Sequence, residues 1–253
     1  GFRDRIDPPY SGGSQLLSIA RTDIDVDIHR HARPVCVAVR RFDNLGHVVG
    51  EERFFGLFAA AAYRASVSTI PLVRESVSWV LGKSKFEPTS HSGRALRTVL
   101  ETFPRDVIFE IGRDELADVA LEIVGLQERS LVRVIQIHSP ENNWQTLAVY
   151  LPRNRLTPEM PRRIAELIAQ DTHAATMEFE PFVSTSALAR VMVEIRRANP
   201  ISNTHLDRLA EAIDTLTQSW HDRLADALDE AVGDSEAQRL MASIGATLPS
   251  DYA

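Results

Sequence analysis

The chain has 253 residues, is 44% hydrophobic and 25% charged, and carries a formal net charge of −7. That is apolar material for one large domain or two small ones, and the acidic balance argues against a bulk-basic nucleic-acid binder. No apolar run approaches the roughly 20 residues of a membrane span, no secretory leader is visible, and the single cysteine, Cys36, excludes a disulfide framework and a four-cysteine zinc site.

The expectation from these counts is a cytoplasmic protein with neither membrane nor nucleic acid among its partners. The 28 basic residues include only two lysines, Lys83 and Lys85, so amine chemistry has just two neighbouring candidates. The chain opens on Gly1 without a methionine, which leaves an excerpt of a longer chain and a processed product both open.

Residues 1–15 are turn-rich (Asp7-Pro8-Pro9, Ser11-Gly12-Gly13-Ser14) and read as a loop. Three strand-like runs follow, Leu16–Thr22, Pro34–Phe42 and His47–Phe58. The segment Asp43-Asn44-Leu45-Gly46 serves as a hairpin turn between the last two. This predicts an antiparallel β-meander. Three strands bury too little to stand alone and need a covering layer.

The pattern changes after Ala59. Residues 59–66 read as a small-residue connector. Ile70, Leu72, Val73, Val77, Val80 and Leu81 fall at helical spacing, with Pro71 in the first turn and Gly82–Ser90 as the break. A second helix is expected over His91–Phe103, with Ser92 as cap and Pro104 as stop, then a turn at Asp106–Glu110. A third runs over Glu115–Gln127, capped by Asp114.

Strands return at Leu131–His138 and Trp144–Leu151, joined by Pro140-Glu141-Asn142-Asn143. A helix over Pro158–Ala169 precedes strands Thr176–Val183 and Leu188–Arg196. A long helix capped by Asn203 or Thr204 runs to about Leu228, and a last helix over Glu236–Ile244 ends at Gly245. The order ββαββα over 131–231 is a circular permutation of βαββαβ, the ferredoxin-like plait. A four-stranded sheet with two helices on one face buries these stripes economically. The expected class is α+β: an antiparallel β-meander (1–58), a helical linker (59–129), a ferredoxin-like ββαββα plait (130–231) and a C-terminal helix and tail (232–253).

Candidate chemistry is sparse. His29-x-His31 with Cys36 is the most metal-like cluster, but residues i and i+2 on a loop do not fix a tetrahedral site. A solvated loop with a packed cysteine is the simpler reading. Ser90-His91-Ser92 reads better as a helix cap than as a nucleophile with its base. Asp23, Asp25 and Asp27 read as the wet face of a strand rather than a cation site. No glycine-rich phosphate loop is present. Arg40-Arg41, Arg162-Arg163 and Arg196-Arg197 read as surface charge, with an anion pocket as the sharper alternative. Trp220, on the long helix beside His221, reads as core.

Several blocks carry a resemblance. They are Arg41-Phe42-Asp43, Val49-Gly50-Glu51, Arg53 to Phe58, Ile70-Pro71-Leu72-Val73-Arg74, Ser90 to Leu96, Leu100 to Asp106, Leu126 to Arg129, and Tyr150-Leu151-Pro152-Arg153. Their order over about 40–200 is similar to the N-terminal, non-catalytic region of the large bacterial NAD-specific glutamate dehydrogenases. The resemblance implies a segment rather than an enzyme. Residues 131–231 would be an ACT-like module, the first strands the tail of a PAS-like or ACT-like module, and 67–129 the link. It also implies no catalytic residue, no metal and no cofactor here, with NAD serving the parent enzyme. The implied partners are the rest of the same polypeptide, sister subunits and an amino-acid effector. Candidate carboxylate partners on or beside the plait strands are Arg133, Arg153 and Arg190. The glycine-rich turn usual in ACT ligand loops is missing from Pro152–Pro158, so pure packing is the competing reading. The rival from another class is a stand-alone metal-dependent hydrolase using His29, His31 and Cys36.

Overall fold

A computed structural model describes residues 16–22, 34–126, 131–138, 144–174, 177–183, 187–196, 199–218 and 220–244. The chain separates into two compact units. The first comprises 1–129, 136–146 and 196–200; the second comprises 130–135, 147–195 and 201–253.

In the first unit, β1 (Leu17–Arg21), β2 (Val35–Phe42) and β3 (Val48–Gly56) form an antiparallel sheet in the order β1-β2-β3. Ile19 pairs with Val37, and Val37 with Phe54. The strand period of two puts Ala20, Cys36 and Ala38 inside. The hairpin turn is built by Asp43, whose carboxylate accepts the Leu45 and His47 amides at 2.8 and 2.9 Å. Those amides, His47's foremost, hold its carboxyl below the usual carboxylate range. Gly46 supplies the left-handed residue at φ +84°. Val48, Val49, Phe54 and Phe55 of β3 stay exposed.

Five helices follow: α1 (Ala60–Arg64), α2 (Val73–Ser84), α3 (His91–Thr102), α4 (Arg105–Glu110) and α5 (Arg113–Leu126). Both α2 and α3 pack on α5, and α4 packs on β1. The buried stripes are Val73, Val77 and Val80 on α2, Leu96, Val99 and Leu100 on α3, and Leu116, Val119, Ala120 and Ile123 on α5. Phe58 stacks on Phe109 with ring centroids 4.7 Å apart.

Local details depart from expectation here. The connector 59–66 contains α1. Helix α2 begins at Val73 rather than Ile70, because Pro71 and Leu72 form a γ-turn. Leu72 sits at φ +68°, and the Val73 amide donates to the Pro71 carbonyl at 2.8 Å. The same helix runs through Gly82 to Ser84 and closes on Lys85 in the left-handed region, since burial of Val77 and Val80 outweighs the roughly 1 kcal/mol that a helical glycine costs. An alanine at Gly82 would meet nothing within 4 Å. Gly82→Ala is therefore expected to raise stability by about 0.5–1 kcal/mol in urea denaturation. Ser90, not Ser92, caps α3 by accepting the Gly93 amide. The turn at Asp106–Glu110 is the helix α4, and α5 starts one residue before its expected cap, Asp114.

The second sheet is four-stranded, in the order β4-β5-β7-β6, from β4 (Arg133–His138), β5 (Trp144–Pro152), β6 (Met177–Phe182) and β7 (Leu188–Arg196). β6 and β7 are antiparallel, with Phe182 opposite Arg190. On one face Val134, Leu147, Val149, Leu151, Val191 and Val193 meet two helices, α6 (Met160–Thr172) and α7 (Asn203–Thr217). Those helices contribute Ile164, Ala165, Ile168, Leu209 and Ile213. The other face of β5 is buried too, at Thr146, Ala148 and Tyr150. Ser202, rather than Asn203 or Thr204, caps α7.

The single long helix expected to Leu228 is two helices. α7 ends at Thr217, where Gln218 turns extended (φ −60°, ψ 128°) and its amide closes on the Asp214 carbonyl. The Thr217 hydroxyl also bonds that carbonyl, at 3.1 Å, a local alternative to continuing the helix. Then come α8 (Trp220–Val232) and α9 (Asp234–Ile244), which pack on each other. Gly245 lies outside the described residues.

Candidate functional site

The sequence candidates fall in different settings. His29, His31 and the row Asp23, Asp25 and Asp27 lie outside the described residues. Cys36 is fully buried within β2, and among the described residues no group of three or more His, Cys, Asp or Glu is placed to hold a metal. Ser90 is committed to capping, since its hydroxyl donates to the Glu87 carbonyl at 2.7 Å and accepts the Gly93 amide at 3.0 Å. Arg41 faces Glu52 at 3.9 Å and Arg162 faces Glu166 at 2.5 Å, both exposed pairs of small energetic weight. Arg197 and the side chains of Trp220 and His221 lie outside the described residues.

The three arginines proposed for a carboxylate have separate surroundings. Arg133 donates to Asp207 on α7 at 2.7 Å. Arg153 is exposed, in the 3-10 turn after β5, and its amide donates to the Ala187 carbonyl at 2.9 Å. Arg190 is buried on β7. Its guanidinium lies 4.7 Å from the Phe182 ring centroid and donates to the Tyr150 hydroxyl. Burial pushes the Tyr150 phenol up, and the neighbouring guanidinium pulls it back down. A buried cation so held, over an aromatic face and against a phenol, fixes β5, β7 and β6 together. Tyr150→Phe removes an acceptor from a buried charge and is expected to destabilise by about 1–3 kcal/mol in chemical denaturation, without changing the fold.

A more open constellation lies between α2 and α3. A cleft of about 760 Å³ is floored by Val67, Val77 and Leu100. Its charged lining comprises Arg74 and Glu75 of α2 and Arg97 and Glu101 of α3. Glu101 is occupied: it accepts the Ser66 hydroxyl at 2.5 Å, the Val67 amide at 3.2 Å and an Arg105 guanidinium nitrogen at 3.4 Å. Beneath it, Arg105 is 5% exposed. Its guanidinium donates to the carbonyls of Phe103 (2.9 Å), Leu100 (3.4 Å) and Ala65 (3.2 Å). Arg105 thus pins the 65–67 segment to the end of α3. Burial lowers its pKa and Glu101 raises it.

This cleft is not evident from the sequence. Arg74 and Arg105 sat inside conspicuous blocks, yet an arginine reads as surface until the facing helix is known. The available signal was spacing: Arg74, Ser78 and Leu81 on α2 and Arg97, Leu100 and Glu101 on α3 each fall on one helical face.

Comparison with known proteins adds two family matches. Residues 70–129 match the family described as glutamate dehydrogenase, helical motif 1. Residues 133–221 match glutamate dehydrogenase, ACT2 domain. The NAD-specific glutamate dehydrogenase of Halomonas elongata is 33% identical over 240 residues, which cover 94% of this chain and 15% of that protein. Its counterpart in Pseudomonas aeruginosa is 35% identical over 239 residues, with the same coverage. That of Mycobacterium tuberculosis is 27% identical over 251 residues, covering 93% of this chain. The chain spans about 15% of the length of these relatives.

Proposed function

Because the chain belongs to the family of the NAD-specific glutamate dehydrogenases, carrying its helical motif 1 and ACT2 domain, we propose that it is the regulatory and assembly segment of such an enzyme. The parent reaction is the oxidative deamination of L-glutamate: L-glutamate, NAD⁺ and water give 2-oxoglutarate, ammonium, NADH and a proton. In this reading NAD and the reacting carbon are handled by residues outside this chain, in the cytoplasm, and the segment itself is non-catalytic.

One observation carries the reading: the ACT2 match falls on the four-stranded sheet and its two helices. The strand order β4-β5-β7-β6 is the order a circularly permuted plait requires, which supports the ACT-like assignment. An ACT-type module acts indirectly. An amino-acid effector shifts a quaternary equilibrium only by the difference in its affinity for two states, typically about 1–3 kcal/mol. The partners in this reading are the rest of the parent polypeptide and sister subunits.

The test of the non-catalytic assignment is direct. The chain, incubated with L-glutamate and NAD, is expected to generate no absorbance of NADH. Steady NADH formation that scales with protein concentration would overturn it.

A further inference from the structure

We propose that the α2–α3 cleft is a binding site for an α-amino dicarboxylate, held by Arg74, Arg97 and Glu75. The site deepens the amino-acid-sensing reading and rests on it for its role, while placing the ligand in the helical unit rather than on the plait strands.

Four charged side chains line the cleft, two guanidinium groups and two carboxylates. Glu101 is already satisfied by Ser66, Val67 and Arg105. The other three, Arg74, Glu75 and Arg97, have no side-chain partner among the described residues. Two cations and one anion remain facing one concavity. The complementary ligand carries two carboxylates and one ammonium. Guanidinium groups bind carboxylates through paired, charge-assisted hydrogen bonds. A lone carboxylate beside them penalises a simple dianion and rewards an ammonium, which is how a site separates an amino dicarboxylate from its non-amino analogue. The apolar floor of Val67, Val77 and Leu100 suits the methylene stem between the charges.

The local backbone supports the placement. Leu72, at φ +68° and ψ −53°, holds a strained γ-turn two residues before Arg74 and three before Glu75. Its conformation fixes where α2 begins, and so which turn of the helix presents that pair to the cleft. Below, the Arg105 pin holds the 65–67 wall against α3. Both walls are therefore set before a ligand arrives, which lowers the ordering cost of binding.

The experiment is calorimetric titration of the whole chain with L-glutamate, L-aspartate and glutarate, repeated on Arg74→Gln, Arg97→Gln, Glu75→Gln and Arg153→Gln. All four positions are exposed, so the variants keep the fold. Saturable binding of at least one amino dicarboxylate is expected, stronger than that of glutarate. Arg74→Gln and Arg97→Gln should each weaken it about tenfold or more. Glu75→Gln should erase the preference over glutarate, and Arg153→Gln should change nothing. Binding that survives Arg74→Gln and Arg97→Gln but falls in Arg153→Gln would overturn the cleft and leave amino-acid sensing standing. No heat from any of the three at millimolar concentration would overturn the cleft, and amino-acid sensing of that class with it, leaving only the assembly role.

Discussion

Arg105→Ala is expected to destabilise the first unit by about 3–5 kcal/mol, the cost of stripping one partner from a buried charged network. The guanidinium is almost fully covered and serves four acceptors on two segments: the Ala65 carbonyl, and at the end of α3 the Leu100 and Phe103 carbonyls and the Glu101 carboxylate. Truncation leaves those acceptors without their donor and opens a cavity where the stem packed. Glu101 would keep Ser66 and Val67 but lose its countercharge. A natural reporter exists in Trp79, whose indole donates to Asp114 at 3.2 Å within the same unit and lies under the Arg113 guanidinium. The intrinsic fluorescence to which Trp79 contributes should report, during urea unfolding, a midpoint well below that of the wild type. Arg105→Met keeps much of the stem and loses the donors; it should fall between the two. Wild-type stability in Arg105→Ala would show that the pin is dispensable.

The second large effect is Gly93→Ala. Position 93 sits in the first turn of α3, and a Cβ there would lie 2.2 Å from the Glu87 carbonyl oxygen and 3.1 Å from its carbon. Backbone cannot swing aside as a side-chain tip can. That same carbonyl accepts both the amide and the hydroxyl of Ser90, at 3.0 and 2.7 Å. Relieving the clash therefore costs the Ser90 cap as well as the packing of the 87–90 turn. Overpacking of this kind costs about 1–3 kcal/mol, and loss of a cap about another 1. The measurement is a thermal melt by circular dichroism, with Gly82→Ala as the opposite control. Gly93→Ala should melt earlier and Gly82→Ala later, because position 82 faces open space. Equal melting of both variants would contradict the geometry.

These two residues show what was legible in the sequence. Element order is written in hydrophobic period. Val35, Val37 and Val39 alternate, Leu96, Val99 and Leu100 recur at helical spacing, and the structure has a strand and a helix there. The two-helix layer on one sheet face follows from the stripes of α6 and α7. What period cannot encode is the point where a helix starts or stops. The Leu72 γ-turn lies inside an unbroken apolar run, and the Ser90 and Ser92 hydroxyls are equally good caps until Glu87 chooses between them. The break at Gln218 hides because Leu216, Trp220, Leu224 and Leu228 continue the spacing across it.

The candidate site was less legible, for a physical reason. Charge reads as solvent exposure, so Arg105 and Arg190 gave no hint of burial; each is covered only because distant segments supply acceptors or an aromatic face. Strand adjacency singles out Arg133 and Arg190, but adjacency does not say which partner a guanidinium takes. The cleft lining joins α2 to α3, two faces whose meeting is a tertiary event carried by their shared packing on α5.

As the proposed assembly and sensing segment, the chain should self-associate, and amino acids should change that association. Sedimentation velocity over a range of concentrations, with and without L-glutamate or L-aspartate, reads both properties in one experiment. Concentration-dependent self-association is expected, with a constant that shifts when one of these amino acids is added. A chain that sediments as the same monomer at every concentration, with and without them, would contradict it.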